Sequence, residues 1–145
     1  MLKHLPRRLH TLIQRGDIHS YKKCRLHTLI QRGDIHSYKK CRFQAHIYKI
    51  ETEEDITSCQ NDIVNISKKY LKASHPHISA FTLSQKGGIT GFDDNGESGA
   101  GKRLLTLLEN RCLEDTFIAV SRWYGGSHLG GARFRIITKA AKDLL

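Results

Sequence analysis

TFIAVSRWY, residues 116–124, places four apolar side chains in a row, Phe117 to Val120. A strand with one wet face alternates apolar and polar residues. An unbroken apolar run is the pattern of a central strand covered on both faces. Upstream, residues 99–110 set Leu104, Leu105 and Leu108 on the inward side of a helix. Downstream, beyond the glycines at 125, 126, 130 and 131, residues 132–145 put Phe134, Ile137, Ala141 and Leu144 on one helical face.

Further towards the N-terminus, FQAHIYKI (43–50) reads as a strand with Phe43, Ala45 and Ile47 on one side. Thr52 then caps a helix with Glu53, Glu54 and Asp55 in its first turn and Lys68, Lys69 and Lys72 in its last, matching the helix dipole at both ends. Ile56, Cys59, Ile63, Ile66 and Tyr70 recur at three and four residues, so Cys59 belongs to a buried stripe. HISAFTLSQ (77–85) is a second strand, and residues 88–92 pair with it through the turn at Lys86, Gly87 and Gly88. The order β-α-β-β-α-β-α predicts an α/β protein of the α+β kind, a two-layer sandwich with a mixed sheet and helices on one face.

The net charge of +10 suggests a polyanion partner until it is divided along the chain. Residues 1–42 hold eleven Lys and Arg against Asp17 and Asp34, a net of +9; residues 43–145 hold thirteen against twelve acids, a net of +1. The chain thus divides into a basic extension, residues 1–42, and a near-neutral domain, residues 43–145, and any binding to RNA through charge falls to the extension. Within it, residues 8–24 recur without a change at residues 25–41. Two copies are too few for a solenoid. Each copy has a short apolar helical face, Leu9, Leu12 and Ile13 or Leu26, Leu29 and Ile30, with a stop at Gly16 or Gly33. The first sixteen residues contain no acid and have the Arg-bearing amphipathic character of a mitochondrial presequence, the alternative to a cytoplasmic location. No apolar run is long enough to span a bilayer, so no membrane partner is expected. Cys24, Cys41, Cys59 and Cys112 form no CxxC pair, which fits reduced thiols better than a disulfide framework or a zinc site.

GESGAGKR (96–103) fits the phosphate-loop pattern G-x-x-x-x-G-K. Three features oppose that reading. TGFDDN precedes it where a buried strand should stand, Arg103 takes the Ser/Thr position, and FIAVSRW ends without the required Asp. The glycines instead open two helix starts with approachable amides that attract anions, near Lys102, Arg103, Arg122, His128, Arg133 and Arg135. Asp93, Asp94 and Glu97 oppose an anion there, and read as carboxylates that cap the helix and pair with Arg122 or Arg103. Asp93 and Asp94 with Glu97 could supply a general base or a magnesium site, and His46, His75 or His128 an acid, but nothing in the sequence shows them converging and no nucleophile is paired with a base. No cofactor, metal or catalytic residue is expected.

FQAH at 43–46, ASH at 73–75, DDNGESGAGKRLLTLLE at 93–109 and VSRWYGGSHLGGARF at 120–134 resemble the signature blocks of the IMPACT family, which includes eukaryotic translation regulators and bacterial YigZ-type proteins. The resemblance covers residues 39–145. It implies a ribosomal-protein S5 domain 2-like fold, similar to one domain of the translocating elongation factor. It also implies a translation regulator that binds the large ribosome-associated activator of the starvation-sensing initiation-factor kinase and so restrains the stress response, with ribosomes and actin as associates. A cytoplasmic monomer is expected, and RNA or ribosome binding through residues 1–42 is the alternative. The candidate partner- or anion-binding residues are Asp93, Asp94, Glu97, Lys102, Arg103, Arg122, Trp123, Tyr124, Gly125, Gly126 and Arg133. Two departures bear on this: the eukaryotic members begin with an RWD domain, which the duplicated segment replaces here, and SHPHISAF is one residue longer than the family form.

Overall fold

The computed structural model describes residues 27–145. The helix expected in the first copy of the repeat, and the presequence reading, fall outside them. Strands β1 (Thr28–Arg32), β2 (His36–Tyr38) and β3 (Cys41–Lys49) come first, then helices α1 (Glu54–Val64) and α2 (Lys68–Leu71). The hairpin β4 (His75–Leu83) and β5 (Ile89–Asp93) follows, then α3 (Ala100–Asn110), β6 (Thr116–Trp123) and α4 (Ala132–Lys142).

The helix expected at Leu26, Leu29 and Ile30 is corrected at its described positions: Leu29 and Ile30 lie in β1, which pairs antiparallel with β3 from Thr28↔Lys49 to Arg32↔His46, while Leu26 falls outside the described residues. Two or three turns of isolated helix are marginal. A β-rich TLIQR segment beside the open edge of β3 satisfies its backbone groups there instead. β2 covers the rest of that edge, with Tyr38 opposite Cys41 across a two-residue turn in which Lys39 and Lys40 both have positive φ.

The sheet runs β1-β3-β6-β4-β5, with β2 also on β3. β6 is central and every one of its residues is buried, as its apolar run predicts. All pairings are antiparallel, so the expected mixed sheet is corrected. Helices also lie on both faces rather than one. Phe43, Ala45, Ile78, Ile118 and Val120 pack with Leu104, Leu108 and Ile137 of α3 and α4. Tyr48, Phe117, Ala119 and Trp123 pack with Cys59, Ile63 and Tyr70 of α1 and α2. The topology gives the reason. β3 and β4 are parallel to each other, as are β5 and β6, since both members of each pair run against a common neighbour. Two right-handed crossovers would put α1–α2 and α3 on the same face. They lie on opposite faces, so one crossover has the rarer hand.

The first helix also differs in detail. Its cap is not Thr52: the Asp55 carboxylate accepts the amides of Glu51 and Thr52 at 2.8 and 3.0 Å. The helical run expected through Lys72 breaks at Ser67, whose φ and ψ of −169° and 173° are extended, and Ile66 there is exposed. No helix among the described residues is long and apolar enough to cross a membrane.

Candidate functional site: a carboxylate between two arginines

On the α3–α4 side, Glu97 and Arg122 are each only 5% exposed. The Arg122 guanidinium donates to Glu97 Oε2, and Arg133 Nε donates to Oε1 at 2.9 Å. Burial alone would lower the pKa of Arg122. The hydrogen bonds and charges of Glu97 and Cys41 outweigh it, so the guanidinium is held more firmly protonated than usual. Its Nη2 lies 3.8 Å from Cys41 Sγ, while its buried Nε has no hydrogen-bond partner among the described residues.

His75 completes the group, with Nε2 3.9 Å from Glu97 and Nδ1 donating to the carbonyl of Asn95 at 2.9 Å. Its place depends on a bulge. Between His75 and Ile78 the pairing of β4 with β6 shifts by one residue, so His75 sits opposite Arg122. Without the shift it would sit opposite Trp123 and point into the α1–α2 layer, because one residue of register flips a side chain to the other face. Asn95 clasps the bulge, its side chain accepting the amide of His77 at 2.9 Å, and Ser121 Oγ donates to Pro76 O at 2.6 Å.

These groups line a cleft of about 540 Å³, with Tyr124 and His128 at its rim, their rings 5.7 Å apart. Two guanidiniums against one carboxylate leave it one positive charge in excess. Such a cleft can hold an acidic side chain while Tyr124, 47% exposed, offers a rigid contact surface.

The structure brings Glu97, Arg122, Tyr124 and Arg133 together and separates the other candidates. Trp123 belongs to the opposite layer: it stacks edge-on against Tyr70 and donates to the carbonyl of Lys69 at 2.9 Å. Asp93 holds the amide of Asn95 at 2.8 Å. Asp94 accepts the amides of Gly99 and Gly101 at 3.1 and 2.7 Å. The helix start expected to be bare is therefore filled by the protein's own carboxylate, and a Cβ at Gly101 would meet Asp94 Oδ1 at 2.9 Å. At α4 the amides of Ala132, Arg133 and Phe134 bond back to Leu129, Gly130 and Gly131, so that start is not bare either. Lys102 and Arg103 are exposed on α3, Arg103 lying over the Phe134 ring at 4.3 Å. Gly125 is packed on the β2–β3 turn, where a Cβ would meet Lys40 O at 2.0 Å. Gly126, with φ of 98°, has open space around it.

On the other face His46 Nε2 is 2.9 Å from Ser121 Oγ, both fully buried. Since Ser121 gives its proton to Pro76 O, His46 Nε2–H donates to the hydroxyl, and Nδ1 accepts from Arg32 at 3.1 Å. Burial, with the charge of Arg32, lowers the His46 pKa to about 3. The pair braces the sheet, since neither the serine proton nor a free hydroxyl face is available for attack. Reading His46 and Ser121 as one unit needs the β3–β6 register, in which Gln44 faces Ser121 and Ala119 faces His46. Among the described residues, no group of three or more His, Cys, Asp and Glu could hold a metal ion.

A family model, the Impact N-terminal domain, matches residues 39–145. The Schizosaccharomyces pombe "Protein IMPACT homolog" is 36% identical over 102 residues, covering 70% of this chain and 36% of that protein. The Saccharomyces cerevisiae "IMPACT family member YDL177C" is 31% identical over 139 residues, covering 71% of this chain and 82% of its own length. The chain thus spans little more than a third of some relatives and most of another. A crystal structure of a hypothetical protein shares the fold at a TM-score of 0.66, 23% identical, over 81% of this chain and 58% of that one. The two-domain translational regulator Yih1 matches at a TM-score of 0.52, 30% identical, over 77% of this chain and 44% of its own. With the family model spanning the sheet from β3 onward and every residue of the cleft, the chain belongs to the Impact N-terminal domain family.

Proposed function

We propose that this chain is a non-catalytic translational regulator. In this reading it docks, as a cytoplasmic monomer, on the large ribosome-associated activator of the starvation-sensing initiation-factor kinase and so restrains that kinase. Its family membership and its similarity to a protein described as a translational regulator support the class of function. The observation that carries the docking site is the cleft itself. It has a buried, braced cationic floor and an exposed aromatic rim, and the amides of both neighbouring helix starts are already bonded within the protein. An acidic loop of the partner fits it.

The test is capture of the activator from starved cells by the full chain and by Tyr124→Ala/His128→Ala, with phosphorylation of the initiation factor followed in parallel. Wild type should recover the activator and lower the phosphorylation, and the rim variant should lose both. Unchanged phosphorylation on wild-type overexpression would sink the reading. A second reading, RNA or ribosome binding through residues 1–42, is favoured by their net charge of +9. Actin, the remaining associate implied by the family resemblance, would be scored in the same capture.

A further inference from the structure

The outward surface of α3 and α4 is a second charged feature, which the cleft does not use. Two depressions, about 650 and 410 Å³, share Arg103, Thr138 and Lys142 and so form one groove between the helices. Apart from Arg133, which the cleft uses, the two helices carry Lys102, Arg103, Arg135, Lys139 and Lys142 against Glu109 alone. The near-neutral total for residues 43–145 hides this, because Glu51, Glu53, Glu54, Asp55 and Asp62 lie in and just before α1, on the other side of the sheet. Arg135, Lys139 and Lys142 follow at four and three residues and share one face of α4. Lys139 is partly engaged by Asp143 at 3.5 Å, while Arg103, Arg135 and Lys142 have no carboxylate within ion-pair distance among the described residues.

We propose that this groove binds the sugar-phosphate backbone of RNA, independently of the cleft. The lining decides the class of partner. Besides the cations it offers the hydroxyl of Thr138 and the amide of Asn110, donors that phosphate and sugar oxygens take, while the Thr106 hydroxyl gives its proton to Lys102 O at 3.1 Å and can only accept from a sugar hydroxyl. A peptide docking between helices needs apolar anchor pockets. The groove has little to offer one: Leu107 is 7% exposed, and the Phe134 ring is engaged by the guanidiniums of Arg103 and Arg133 at 4.3 and 4.2 Å. Binding is therefore tolerant of base sequence and sensitive to salt.

The test measures binding of a fluorescent oligouridylate of about twenty nucleotides to the full chain across potassium chloride concentrations, by anisotropy. Arg103→Glu/Lys142→Glu reverses two groove charges, and Lys68→Glu/Lys72→Glu reverses two on the α2 side. The groove variant should weaken binding about tenfold and flatten the slope of log K against log salt by about 1.4, two contacts at 0.7 each. The α2 variant should keep both within about twofold and 0.3. Equal losses in the two variants, or none in either, would assign the affinity to charge elsewhere in the chain and overturn the proposal. So would displacement of the RNA by polyglutamate at equal charge. Capture of the activator through the cleft is unaffected by any of these outcomes.

Discussion

Glu97 and Arg122 form an ion pair inside the protein, with Arg133 closing the second carboxylate oxygen. Removing one member of a buried pair leaves the other charge without compensation and destabilises by about 3–5 kcal/mol. Glu97→Leu alone should therefore lower the midpoint of thermal unfolding sharply. Glu97→Leu with Arg122→Met should recover much of that loss, measured by calorimetry. A double variant no more stable than the single one would show that the pair is not the unit holding these segments.

Acid should weaken the fold through His46. Its pKa falls from 6.5 to about 3 on folding, so between those values the unfolded chain binds the additional proton. The contribution is intact above pH 6.5 and is lost as pH falls towards 3. Near pH 5 about 2 kcal/mol should be gone. His46→Gln should be less stable at neutral pH and show a shallower decline on acidification, read from urea midpoints at several pH values.

Gly125→Ala should be among the most damaging single changes. A Cβ there falls 2.0 Å from Lys40 O and 2.7 Å from the Cys41 amide nitrogen, both backbone, so no side-chain rotation relieves it. Hydrogen exchange should speed up first at Tyr38 to Arg42, where β2 meets β3. Protection unchanged at those amides would contradict the packing described.

Asp94→Ala should cost about 1 kcal/mol by releasing two amides at the start of α3. Added phosphate should not bind tightly to wild type at that helix start, because the carboxylate occupies it. Weak phosphate binding that appears only in the alanine variant, seen as amide shifts at Gly99 and Gly101, is the expected result.

A fragment of residues 43–145 should aggregate where residues 27–145 remain in solution. β1 and β2 cover the free edge of β3, and truncation at 43 removes both strands together with Cys41 and Arg42. An uncovered long edge invites pairing between chains. Light scattering on the two fragments decides it.

How far the sequence reveals this molecule depends on the distance over which each feature is decided. Phe117 to Val120 report their own burial, because cover on both faces leaves no polar position in the run, and β6 is the strand so covered. The leucines of α3 and the hairpin of β4 with β5 are likewise local, and their positions hold within two residues. What the pattern does not contain is the hand of a crossover, so the number of layers cannot be read from element order. Leu29 and Ile30 fit a helix as well as a strand, and only the open edge of β3, distant in sequence, decides between them. In the cleft, Glu97 and Arg122 are readable as an acid and a base with reason to pair. Trp123 is drawn in by sequence adjacency, and alternation along β6 sends it to the other side.

The bulge at Pro76 and His77 carries a lesson for reading relatives of this chain. An inserted residue there acts as a phase switch: everything from Ile78 onward keeps its layer, and what comes before exchanges layers. A relative with the shorter strand would present to Arg122 the side chain one column away from the one a letter-by-letter alignment matches to His75. Matching columns by the layer they face, rather than by amino-acid type, would recover the equivalent position.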